Sequence, residues 1–237
     1  MTKTTALLFI FIFSYLALTA QETWLASTQQ QLGFVENKGQ VIDQRGNANG
    51  NVRFIFADKY FNLQLKEDGF SYELFEEKLP QNLSESGLKS GLPNESDDFE
   101  REEGKLQSHR IDVKVVGANL NAQISGESPT GTVLNFYNSN STSEGITGVQ
   151  SFDKVRYKNI YPGIDLVFST PNKSSATELK YEWIVSAGAD ASKIRLQYEG
   201  ATAMIPVPGE GFKLLTRTGM IEESKVIAFT AEKESPV

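Results

Sequence analysis

The stretch VRYKNIYPGIDLVF, residues 155–168, constrains this chain more than any other. It reads as a strand, a Pro-Gly turn and a second strand. In Tyr161-Pro162-Gly163-Ile164 the proline presets φ at the second turn position and the glycine takes the positive φ of the third, as a type II turn requires. The same period of two recurs along the chain. Val52, Phe54 and Phe56 form one apolar set, Phe61, Leu63 and Leu65 a second, and Phe70, Tyr72 and Leu74 a third. The second and third sets flank Lys66-Glu67-Asp68-Gly69, a short hairpin loop ending in glycine. Ile111, Val113 and Val115 alternate in the same way, as do Leu179, Tyr181, Trp183 and Val185, then Ile194, Leu196 and Tyr198. Residues 204–207 and 212–216 read as strands around Pro208-Gly209-Glu210-Gly211, and residues 225–230 as a last strand.

Strands with one apolar and one polar face build antiparallel sheets that are covered on one side only. The predicted fold is therefore all-β, an antiparallel sandwich or two packed β-lobes. Helical patterning is confined to a short helix at residues 27–32 and a turn at residues 189–193. The polar segment 76–107 reads as a long mobile loop. It divides a possible lobe at 33–75 from another at 108–237, within a single β-rich domain at 21–237. Residues 138–148, rich in Ser, Thr, Asn and Gly, read as a second loop.

Residues 1–20 have the order of a signal peptide. Lys3 is followed by an apolar run from Ala6 through Leu18, and Thr19-Ala20 stand before Gln21. The run is short for a membrane span, and no later segment could cross a bilayer. Export with no cysteine at all predicts a bacterial protein stabilised by its core rather than by disulfides. A net charge of −7 argues against nucleic acid and anionic membranes as partners, because both reward basic patches.

Catalytic chemistry is hard to assemble from this composition. The single histidine, His109, follows Ser108 where a strand begins, and no Gly-x-Ser-x-Gly elbow accompanies it. Without cysteine and with one histidine, thiol chemistry and HExxH metal sites are excluded. Two carboxylates would suffice for glycan hydrolysis. Glu36, Asp68, Asp165, Glu182 and Glu199 are candidates, but no spacing singles out a pair. The acidic run at residues 97–103 lacks the ligand spacing of a calcium loop and reads as solvated charge. Trp183 and Tyr181 share one strand face, where they form a sugar-binding platform if exposed and a piece of core if not. Trp24, Tyr60 and Tyr198 are further platform candidates. No cofactor or metal site is predicted.

Four segments in order carry a family resemblance: Phe34-Val35-Glu36-Asn37-Lys38-Gly39-Gln40; Ser108-His109-Arg110-Ile111 with Val116-Gly117-Ala118-Asn119; residues 157–168; and Leu179-Lys180-Tyr181-Glu182-Trp183 with Gly188-Ala189-Asp190 and residues 192–196. Together they resemble the N-terminal β-rich domain of large secreted proteins of Bacteroidota. Those proteins continue into SBBP (β-propeller-type) repeats and a gliding-motility-associated, type IX sorting domain. The resemblance spans residues 33 to 229. It implies a surface protein and lends no catalytic residue; its motifs imply turns, strand starts and a packing role for Asn37-Lys38-Gly39. The expected location is extracellular or cell-surface within a longer protein, periplasmic if 237 residues are the whole. Three functions follow in order: a non-catalytic structural or interaction module, with polysaccharide or other surface proteins as partners; a carbohydrate-binding module; and a carboxylate-dependent glycan hydrolase.

Overall fold

A computed structural model describes residues 7–16, 33–43, 45–78, 105–137, 145–170, 178–230 and 233–236. Their strands are β1 (Leu7–Leu16), β2 (Phe34–Glu36), β3 (Val52–Asp58), β4 (Phe61–Lys66), β5 (Gly69–Lys78), β6 (Lys105–Val115), β7 (Gln123–Phe136) and β8 (Ile146–Tyr161). The second half continues with β9 (Ile164–Ser169), β10 (Glu178–Val185), β11 (Leu196–Glu199), β12 (Ala203–Val207), β13 (Gly211–Leu215), β14 (Met220–Ser224), β15 (Ile227–Thr230) and β16 (Lys233–Pro236). A 3₁₀ turn at Ala191–Lys193 is capped by Asp190, whose carboxylate accepts from the Ser192 amide. Among the described residues no helix is long and apolar enough to cross a membrane.

The strands form one antiparallel sheet in the order β11-β6-β5-β4-β3-β2-β8-β9-β10-β1-β14-β13-β12. Its two end strands, β11 and β12, are consecutive in the chain and only residues 200–202 separate them. That short link brings the two ends of the sheet together, so the sheet curls. The all-β antiparallel expectation holds, and the two packed layers are opposite walls of one continuous sheet. Residues from 33–75 and from 108–237 are hydrogen-bonded into it side by side, at β5–β6 and at β2–β8.

Period-two patterning decides which face points inward. Phe61, Leu63 and Leu65 of β4, Phe70, Tyr72 and Leu74 of β5, and Ile111, Val113 and Val115 of β6 are all buried. Across the interior they meet β9 and β10. The Phe168 ring lies 5.1 Å from Phe70 and 5.6 Å from Tyr181, and Phe70 lies 5.8 Å from Tyr181. These tilted and edge-on contacts add to the burial of three large rings. Gly163 takes φ 73° in the β8–β9 turn, as its type II position demands. Gly69 opens β5 at φ 156°, and a Cβ there would sit 2.0 Å from the Val113 carbonyl oxygen.

Several elements depart from the sequence expectation. The ladder of β5 and β6 pairs Glu76 with Gln107 and Lys78 with Lys105, taking both ends of the expected 76–107 loop into strands; residues 79–104 lie outside the described set. β8 begins at Ile146, within the expected second loop. β7 has no counterpart in the sequence reading. Its Gly126, Ser128, Pro129 and Gly131 are poor strand formers, and it pairs only with β8, largely exposed. β11 starts at Leu196 because Ile194 caps the 3₁₀ turn. The apolar run expected as a leader core forms β1, hydrogen-bonded to β10 on one side and to β14 and β15 on the other. The short helix expected at 27–32 and Trp24 lie outside the described residues.

Candidate functional site

Alternation that sends apolar residues of β4, β5 and β6 inward sends polar ones outward. In register, Gln64 faces Ser71, Ser71 faces Asp112, and Glu73 faces Arg110. This polar stripe floors a cleft of about 680 Å³. Its walls are the β2–β3 connection, with Ile42, Asp43, Arg45 and Asn49, and two turns from the other end of the sheet, carrying Gly200 and Arg217.

The β2–β3 wall is built by Asn37-Lys38-Gly39. The Asn37 amide donates to the carbonyls of Asn49 (2.9 Å) and Val52 (2.7 Å), and its oxygen accepts from the amides of Gly39 and Val41. One side chain thereby closes the whole connection. Lys38 reaches the Gly148 carbonyl at 2.8 Å and anchors it to β8. Within the loop, Asp43 accepts from the Arg45 and Asn47 amides, both at 2.8 Å. The Asn47 bond, ahead of smaller effects, holds the Asp43 carboxyl below its usual range. The arrangement fixes the backbone beneath Arg45, whose guanidinium has no ion pair among the described residues.

His109 closes the far wall. Its Nε2 lies 2.7 Å from the Gly200 carbonyl, and its Nδ1 lies 3.3 Å from both the backbone amide and the Nε of Arg217. A carbonyl only accepts and these two nitrogens only donate, so the network assigns the proton to Nε2. Both ring nitrogens are then occupied. The histidine latches β6 to the β11–β12 and β13–β14 turns rather than presenting a base to the cleft.

Asp112 stands at the stripe's edge, accepting from Lys66 and Ser71 (2.6 Å each) and from Arg110. Partial burial pushes its carboxyl up, but the bonds from Lys66 and Ser71 and the charges of Lys66 and Arg110 outweigh this and bring it to about 2. Gln64 is different. It is 8 % exposed, its amide nitrogen reaches Glu73 at only 3.5 Å, and its buried oxygen has no hydrogen-bond partner among the described residues.

A second polar cluster lies inside the curled sheet. Glu223 of β14, 2 % exposed, accepts from the hydroxyls of Tyr72 (3.0 Å), Tyr181 (2.9 Å) and Tyr198 (2.9 Å). Burial raises the Glu223 carboxyl, and the three tyrosine bonds work against that rise. All three tyrosines are held well above their ordinary range, by burial first and the Glu223 charge next.

The other candidates fall elsewhere. Trp183 and Tyr181 are both 0 % exposed, which corrects the platform reading: their strand face is the core face. Tyr198 is bound to Glu223 and packs edge-on against Phe212 at 5.5 Å, and the Tyr60 ring sits under Lys59. Glu36 pairs with Lys38, Asp165 with Arg156, Glu182 with Lys180 and Glu199 with Lys114. Asp68 lies in the β4–β5 turn, where its carbonyl accepts from Val115. The structure gathers none of these five carboxylates into the cleft. Gln64, Arg45 and Arg217 were not singled out by the sequence; a glutamine flanked by leucines in a strand was the only local signal. Among the described residues no group of three or more His, Asp or Glu could hold a metal.

Residues 34–237 match the model of the family described as domain of unknown function DUF7948, and the chain belongs to that family. No curated protein and no solved structure matches it.

Proposed function

We propose that this member of the DUF7948 family serves as a non-catalytic structural or interaction module of an exported bacterial surface protein. The observation that carries the reading is His109. The only imidazole in the chain has both nitrogens committed to holding turns, so the side chain best suited to moving protons at neutral pH is used as a latch. Four of the five carboxylates that could have served hydrolysis are balanced by neighbouring cations, the commonest fate of surface acids. Export is supported by the leader-like N-terminus, whose cleavage before Gln21 would take β1 out from between β10 and β14. The resemblance to N-terminal domains of Bacteroidota proteins with SBBP repeats and type IX sorting supports a place at the cell surface.

Expression of the full chain in a bacterial host with mass analysis of the exported product tests the export half. A mature N-terminus at Gln21 supports it, and a product retaining Leu7–Leu16 inside the cell overturns it. A panel of glycan substrates tests the other half. Flat profiles with intact binding support a module, whereas turnover abolished by E73Q or H109N overturns it.

A further inference from the structure

We infer that the cleft floored by Gln64 and Glu73 binds a carboxylate-bearing sugar, a uronic acid at the end of or within an oligosaccharide; the inference rests on reading the chain as an interaction module and names its ligand class. The argument begins with the polar groups left over in the fold. Buried polar atoms are nearly always hydrogen-bonded, and leaving one without a partner costs about 1–3 kcal/mol. Gln64 Oε1 is such an atom among the described residues, as is Trp183 Nε1 in the core, and it lies covered within the floor of the cleft. Beside it, Glu73 has, among the described residues, only the long contact from the Gln64 amide and no cation within ion-pair distance. Glu73 calls for a donor from outside, and the covered Gln64 oxygen meets one only when its amide turns into the cleft.

The walls call for the opposite. Arg45 has no ion pair among the described residues, and Arg217 uses its Nε on His109 while its terminal nitrogens carry no bond within that set. A guanidinium fork matches a planar carboxylate with two parallel bonds, which a point charge does not. The ligand therefore has an anionic carboxylate at one end and neutral groups that both donate and accept at the other. Sugar hydroxyls do both. A dianionic phosphate would stand against Glu73. A peptide C-terminus would want apolar walls, and Ile42 is the one large apolar side chain in the lining. Among the described residues no Phe, Tyr or Trp lines the cleft and the His109 ring is held edge-on by its two turns, so recognition runs through hydroxyl edges rather than by stacking on a large ring. The volume of about 680 Å³ is in the range of small-molecule sites and holds two sugar rings.

Calorimetric titration of the full chain with digalacturonic acid, and with the neutral digalactose as control, tests the inference. The expected result is binding of the acidic disaccharide at least tenfold tighter than the neutral one. The preference should weaken with salt, fall at least tenfold in R45A, and fall for both sugars in Q64L. R45A changes an exposed loop side chain, and an unchanged melting curve shows that it is folded. Absence of binding by the wild-type chain, or equal binding by R45A, overturns the inference while leaving the module reading in place. Hydrolysis of the bound disaccharide does the reverse: it overturns the module reading and keeps the cleft as the acidic-sugar site.

Discussion

The Glu223 cluster and the Gln64 cleft are both polar groups set against a β-sheet, and they differ in how completely they are matched. Inside the sheet, one carboxylate meets three hydroxyl donors at 2.9–3.0 Å from three different strands. On the outer face, a nearly buried amide oxygen meets none, and a carboxylate and a guanidinium stand near one another without pairing. A matched cluster contributes to folding because each buried polar group finds its partner there. An unmatched polar group lowers stability and calls for a partner from outside the chain, a water or a ligand, wherever solvent can reach it. The difference separates the part of the molecule that holds the sheet closed from the part that faces a ligand.

The comparison is most exposed to failure at Glu223. Replacing it with alanine removes the shared acceptor of three tyrosines, and we expect a loss of about 3–5 kcal/mol in urea unfolding; a loss under about 1 kcal/mol would show the cluster to be incidental. Its pH dependence has a definite sign. The folded carboxyl is raised above its ordinary value of 4.5, so its contribution is complete below that value and is lost as pH rises through the higher folded value. Wild type should gain stability relative to E223Q as the pH falls from the neutral range to 4.5, and a constant difference between the two over that whole range would contradict the raised carboxyl.

Asp112 has the opposite sign. Its carboxyl is lowered to about 2, so its contribution is present above 3.8 and fades as the pH falls toward 2. The side chain is 40 % exposed, and solvent screening limits D112N to about 1 kcal/mol. A smaller effect, of opposite direction, is expected at Gln64. Q64L replaces an orphaned acceptor with an apolar group of similar size, which should leave stability unchanged or raise it by up to about 1 kcal/mol. A clear loss would mean that the Gln64 oxygen is satisfied in the folded protein and that the two regions do not differ as described.

How far the sequence reveals each region follows from distance along the chain. The β4–β5 hairpin is legible because its two apolar triplets and Gly69 lie within fourteen residues, and the β8–β9 turn because Pro162-Gly163 permits little else. β7 is not legible, since only Ile124 of it packs against the core and most of the strand is exposed, so little selects alternation along it. Alternation also places Tyr181 and Trp183 together on one face of β10, but only the curl of the sheet says that the face is inside. The cleft is hidden for the same reason. Arg45, Gln64 and Arg217 become neighbours only when the end carrying β13 and β14 closes on β4–β6. Glu223 was equally unmarked: one acid among Glu222, Glu223 and Ser224 gives no local sign that its strand parity, shared with Ile221, turns it inward.

The Tyr72–Glu223 bond joins residues 151 positions apart. Contacts of such long span form late, because the intervening loop must close before they can exist. A ribosome delivers Tyr72 long before Glu223, so the acceptor on which three strands converge is made 151 positions after the first of its tyrosines. Every nascent chain that stops short of Glu223 therefore lacks the one group that bonds the walls of the sheet to each other through all three tyrosines.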